Sequence, residues 1–263
     1  MFSYGLKLFL LLCMVFGAAF GPVSGQANES VLHEIQQAMT KGDDLFARFH
    51  EDTDNLARAG TIYQNVLEKN PNFVEAVWKL SEVQYLLGMF KKDLPAEKEY
   101  YEKCLELANR ALAIDPASVP ALFYSGCSQV SLAKMVGPLK ALGLLKKGKA
   151  ELLDVMDQGT ASRFAPLAAS VLSQVNTETP WPMRDLNEAE SLSLQAVEWD
   201  PDLTMARVQL ARVYLAKKEY AQAAKEAENC LATDKPTYMS DAVVWDWPAA
   251  REILSKAKEM AGG

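Results

Sequence analysis

Histidine and cysteine are the side chains best suited to metal binding or nucleophilic catalysis, and this sequence holds only His33 and His50 of the first and Cys13, Cys104, Cys127 and Cys230 of the second. Neither histidine has a partner at the spacing His-x-x-x-His, which sets two ligands on one helix face, and no Cys-x-x-Cys pair exists, so zinc and thiol chemistry lack a ligand set. Gly137, Gly143 and Gly148 lie among leucines and lysines, without the GxxxxGK[ST] or GxGxxG order that cradles phosphate. Glu188 with Glu190, and Glu226 with Glu228, are carboxylates two apart; on a helix they point about 200° away from each other and cannot share one substrate. No catalytic residue, metal site or cofactor is assigned, and the chain is expected to bind rather than to catalyse.

Composition narrows the partners. With 49% apolar and 23% charged residues the chain can bury a core. Lys7 precedes an apolar run, Leu8 to Phe20, followed by Gly21, Pro22 and small residues as far as Gly25. That run is shorter than the about 20 residues a spanning helix needs, and its pattern is that of a cleaved signal peptide over residues 1–25. Cys13 sits inside the run behind Leu11 and Leu12, so lipid attachment is not expected. Cleavage would leave 26 basic against 34 acidic side chains, a balance that excludes nucleic acid as a partner. The three remaining cysteines are an odd number and read as small buried residues.

The elements that must carry any site are set by internal repetition. Counting from Thr204, Leu210, Ala211 and Tyr214 fall at positions 7, 8 and 11, and Ala223, Ala227 and Cys230 at positions 20, 24 and 27. This is the pattern of large and small residues in a 34-residue tetratricopeptide unit, two antiparallel helices packed closely. Partial copies include Ala59, Tyr63 and Val66 before Pro71; Leu80-Ser81, Tyr85 and Gly88, closed by Ala111 and Asp115-Pro116; Ala121 with Ser125-Gly126; and Ala189 with Ala196 and Asp200-Pro201. Residues 26–263 are therefore expected to form one all-α tetratricopeptide-repeat helical solenoid. It would comprise about four degenerate helix pairs and a C-terminal capping helix from Pro248 to Met260, with inserts near 89–99 and 131–149. The first helix of the fourth unit is placed near Thr160 to Val175. Pro180-Trp181-Pro182 forces an extended link before a helix capped by Asp185, with Glu188 three residues on as in a capping box.

In repeats of this type, positions 2, 5, 9 and 12 of each first helix form one stripe facing the concave side. These positions nominate Trp78, Glu82, Tyr85, Phe123, Val130, Val208, Arg212 and Leu215 as a largely apolar ligand-binding wall, unless inserts bury it as core. The stretch Ala117 to Ala150 holds five lysines and no acid. Its Lys140, Lys146, Lys147 and Lys149 make either a solvated face or a docking site for an acidic partner, and Leu139, Leu142, Leu144 and Leu145 could cover the groove as a lid.

Asp185-Leu186-Asn187-Glu188-Ala189, Ala196 with Asp200-Pro201, and Leu210-Ala211-Arg212-Val213-Tyr214, together with the signal peptide and the helix extension at Ser131 to Leu145, resemble the T component associated with TRAP-type transporters. The resemblance spans most of residues 30–255. It implies a periplasmic tetratricopeptide protein that assembles as a homo-oligomer, docks the transporter's solute-binding component and holds a hydrophobic small molecule. Members are often lipoproteins, and here no lipidation cysteine stands in place. An envelope or secretion-assembly scaffold binding extended peptides is the alternative.

Overall fold

A computed structural model describes residues 23–180 and 183–262. The apolar run, the cleavage region up to Pro22 and Cys13, and the Trp181-Pro182 dipeptide lie outside the described residues. The chain divides into two compact units, residues 1–36 and residues 37–263. The first carries the opening turns of α1 (Val23–Ala47), and everything below concerns the second.

Among the described residues the structure is wholly helical. α2 (Asp54–Lys69) leads into four hairpins: α3 (Val74–Met89) with α4 (Leu94–Ile114), α5 (Val119–Ala133) with α6 (Pro138–Met156), α7 (Ala165–Glu178) with α8 (Leu186–Trp199), and α9 (Thr204–Lys217) with α10 (Tyr220–Leu231). After them come a single turn, α11 (Met239–Asp241), a π-helical turn over Ala242–Asp246 and the closing helix α12 (Trp247–Gly262). The architecture is the expected all-α solenoid of tetratricopeptide type.

The helix stops act where the sequence puts them. The amides of Asp115 and Asp200 still donate to Ala111 O and Ala196 O, after which Pro116 and Pro201 end each helix. Asp185 caps α8 by accepting from the amides of Asn187 and Glu188 at 3.1 and 3.0 Å. Its own amide donates to Asn176 O on α7 rather than to a capping-box glutamate, which ties the link to the preceding helix.

Small residues let paired helices touch. A Cβ on Gly126 would lie 2.8 Å from Leu152 Cγ, and one on Gly148 would lie 2.9 Å from Gly126 O, so α5 and α6 meet backbone to backbone. Polar bridges repeat at equivalent seams: Ser81 Oγ donates to Cys104 O at 3.0 Å, and Ser173 Oγ donates to Ala189 O at 2.8 Å. Ala59, Ala76, Ala108, Ala111, Ala196 and Ala227 are fully buried between helices.

Both inserts become helix rather than loop. The first lengthens α4, whose N-cap Asp93 accepts from the Ala96 amide at 3.0 Å. The second supplies the Gly137-Pro138 turn and the front of α6. The first helix of the fourth pair starts at Ala165, later than Thr160, because a 3₁₀ turn at Gly159–Ala161 occupies the interval.

Candidate functional site

Residues three and four apart on the first helix of each hairpin share one face. On α3 that face presents Lys79, Glu82 and Tyr85; on α5, Phe123, Tyr124 and Cys127; on α7, Leu167, Val171 and Gln174; on α9, Met205, Val208, Gln209 and Arg212. All line one cavity of about 810 Å³. Its volume is within the range of small-molecule sites.

The fifth wall comes from a segment that repeat logic does not foresee. After α10, residues 234–246 run back across the mouth of the groove to the first helices of the unit. Thr237 anchors the near end, its hydroxyl donating to the Asp200 carboxylate at 2.8 and 2.9 Å and its amide to Asp202 O at 3.1 Å. At the far end Ser240 Oγ donates to Ala47 O at 2.6 Å and lies 2.7 Å from His50 Nδ1. Trp245 stacks obliquely on Phe49 and Phe90, with both centroid distances 5.3 Å. The groove is thereby roofed in part, leaving a chamber rather than an open trough.

Five of the groove residues nominated from sequence line this chamber: Glu82, Tyr85, Phe123, Val208 and Arg212. The other three lie elsewhere. Trp78 is buried behind Phe164, edge-on at 6.1 Å, with Lys79 Nζ 4.8 Å above its ring. Val130 lines a second cavity of about 340 Å³ with Leu142, Leu145 and Val175. Leu215 packs against the cluster of Ala211, Ala227 and Ile253 that joins α9 and α10 to α12. Neighbours particular to this chain cover Trp78 and Leu215, so a fixed repeat position does not face the same space all along the stack.

The leucines of the basic insert do not form the lid. Leu139 is 91% exposed, and Leu142 and Leu145 face the second cavity, because α6 lies on the outer side of its hairpin. Its lysines divide. Lys149 Nζ donates to Asn176 Oδ1 at 2.8 Å and Lys147 pairs with Glu151 at 3.6 Å, while Lys140 and Lys146 are exposed.

The chamber wall is more polar than the sequence suggests. Phe46, Phe49, Phe123, Phe164, Tyr238 and Trp245 supply aromatic surface, but Glu82, Asp241 and Asp246 point into the same space. Glu82 accepts from Tyr124 Oη at 2.5 Å; burial nevertheless raises its pKa above the usual carboxylate range. Asp246 accepts from Thr204 Oγ1 at 2.7 Å and is pushed up to about 6 by burial. Burial, with Asp246 and Glu82 adding repulsion, raises Asp241 to about 8. Facing these acids are Lys79, paired with Asp43 at 2.8 Å, and the guanidinium groups of Arg163 and Arg212.

Cys127 also reaches the chamber, but burial raises its thiol well above the ordinary value, and the same cause raises Cys104 to about 11. Neither is an activated nucleophile. Among the described residues no group of three His, Cys, Asp or Glu side chains is arranged to hold a metal ion, and no helix is long and apolar enough to cross a membrane. Phe49, Arg163, Asp241 and Trp245 also line the chamber, from positions outside the first-helix stripe. The only local signal was a break in the repeat, with aromatics at Tyr238 and Trp245 where a further unit should open.

The fold and the chamber define a tetratricopeptide-type helical solenoid with an internal cavity. A solved structure agrees on the fold. A tetratricopeptide protein of Thermus thermophilus, TTC0263, is 17% identical and superposes with a TM-score of 0.63 over 87% of this chain and all of its own. A tetratricopeptide repeat protein from Parabacteroides merdae is 16% identical, with a TM-score of 0.48 over 90% of this chain and 94% of its own, too loose a superposition to add to that agreement. No protein-family model and no curated protein matches the sequence.

Proposed function

We propose that this chain is an exported, non-enzymatic binding protein that holds a small molecule with an apolar body in the roofed chamber and docks a protein partner through its outer helices. One observation carries the reading: about 810 Å³ lined by four first helices and roofed in part by residues 234–246, with aromatic rings on both sides. A pocket of this size lined by rings and a few charged groups suits a compact ligand better than an extended peptide. A peptide would need the lengthwise path that the return segment crosses, so the scaffold alternative is disfavoured.

The finer assignment is a periplasmic accessory component of a TRAP-like solute-uptake system, assembling with itself and with a solute-binding partner. It rests on the signal-peptide pattern and on the family resemblance of Asp185–Ala189 and Leu210–Tyr214. Native mass spectrometry of the chain purified from envelope tests both levels. A retained small organic molecule is expected, together with copurification of a solute-binding protein. A chain that carries no small molecule and brings down no such partner would overturn the proposal.

A further inference from the structure

The acids in the chamber are not equally served. Glu82 has the Tyr124 hydroxyl, Asp246 has the Thr204 hydroxyl, and Asp43 has both Tyr63 Oη, at 2.7 Å, and Lys79. Asp241 has nothing. Among the described residues no donor reaches its carboxyl group, which is half-buried and opens onto the chamber, and its side chain does not cap the turn that follows it. With no protein donor, this carboxyl group can take its partner only from water or from a bound ligand. It lines the chamber together with Tyr124 and Tyr238 and lies within the field of two further carboxyl groups.

The contacts of the chamber's cations lie away from Asp241. Lys79 is paired, Arg163 stacks over Phe164 at 4.9 Å, and Arg212 donates to Gln209 Oε1 at 3.5 Å. His50, on the segment after α1, is engaged with Ser240. The charges acting on Asp241 are those of Asp246 and Glu82, both negative, so the partner it lacks is a positive donor. Acidic groups flanked by aromatic faces attract a cation through charge and through the ring quadrupoles together.

We propose that Asp241 receives the protonated amine of the chamber's ligand, so that the ligand class is an amine with an apolar or aromatic body. This rests on the chamber being a small-molecule site. Before binding, Asp241 keeps its proton at neutral pH; docking of an ammonium group expels it and leaves an ion pair, with Glu82 and Asp246 adding to the attraction. Binding should then release close to one proton per ligand below pH 8, and affinity for an amine should rise with pH, approaching about tenfold per unit.

Tryptamine, tryptophol and indole-3-propionate share an indole body and differ in carrying an amine, a hydroxyl or a carboxylate. Titration calorimetry with the full mature chain should show tryptamine binding at least tenfold tighter than the other two at pH 8. Its affinity should fall as pH drops to 6, while that of tryptophol stays level. Asp241→Asn should abolish the tryptamine advantage and its pH dependence and leave tryptophol unchanged. Should that variant fold poorly, heats measured for the unaltered chain at pH 7 in phosphate and in Tris report proton release directly. Equal binding of tryptamine and tryptophol, preference for indole-3-propionate, or no proton release would overturn the amine assignment while leaving a small-molecule chamber in place. No binding by any of the three would overturn both readings.

Discussion

The α5/α6 hairpin and the return segment over residues 234–246 solve opposite problems. In the hairpin, two backbones meet across Gly126 and Gly148, with Leu152 and Val155 fully buried and the buried Gln129 bridging the helices by donating to Glu151 Oε2 at 2.5 Å. The return segment is held by hydroxyl bridges at Thr237 and Ser240 and by one aromatic cluster, and it places two carboxyl groups facing a cavity. The first is built chiefly for close packing, its polar groups turned on one another. The second gives up stability to put charged groups where a ligand can meet them, which is the usual physical mark of a site.

The hairpin should therefore break hardest. Gly126→Val sets a branched side chain where even a Cβ lies 2.8 Å from Leu152 Cγ, and overpacking of this kind costs about 3 kcal/mol. Urea unfolding should show the loss as a lower midpoint. A midpoint within error of the unaltered chain would mean that α5 and α6 can separate without cost, and the contrast would fail.

Trp245→Ala tests the other side. Trp245 is half-buried against Phe49 and Phe90, so its truncation should cost about 2 kcal/mol, less than a fully buried ring. Hydrogen exchange should rise across residues 236–246 and stay unchanged in α5 and α6, since a segment held by few contacts opens by itself. Exchange rising equally in both regions would make the return segment part of the packed stack and not a separable roof.

These two regions also mark what the sequence could reveal. Helix order, the Asp-Pro stops and the small residues at the seams follow from local period and from residue size, and α8 through α10 stand where the pattern of Asp185, Asp200-Pro201 and Leu210 to Cys230 puts them. The chamber was legible in part: Glu82, Tyr85, Phe123, Val208 and Arg212 are stripe positions that still face one space. Trp78 and Leu215 obey the same count but are buried by neighbours specific to this chain, Phe164 in one case and α12 in the other. The roof was not legible. The bond between Ser240 and Ala47 joins residues almost two hundred positions apart, and no periodicity records a contact of that range.

The pH dependence of stability sharpens the contrast further. In the unfolded chain Asp241 titrates near 3.8, whereas in the ligand-free fold it titrates at about 8, so between these values the folded state holds the extra proton. Its contribution is full below the lower value and is lost as pH rises through the higher one. Asp246 adds a smaller loss between 3.8 and about 6. Asp241→Asn should remove the larger part, flattening the fall in stability between pH 5 and pH 8 by up to about 1.4 kcal/mol per pH unit. Thermal unfolding at several pH values checks this. Parallel curves for variant and parent would show that Asp241 is solvated in the folded chain.

The smallest effect belongs to the outer face of the hairpin. Lys140 and Lys146 are exposed on α6 with no acid in ion-pair range among the described residues, and surface changes of this kind shift stability by no more than about 0.5 kcal/mol. Lys140→Glu with Lys146→Glu should accordingly leave both the unfolding midpoint and tryptamine binding near their original values, because α6 contributes no side chain to the chamber wall. Association with an acidic partner, if this face docks one, should weaken in a way that added salt erases. Loss of chamber binding in the double variant would instead couple α6 to the site through α5, and the packed hairpin could no longer be treated as an inert wall.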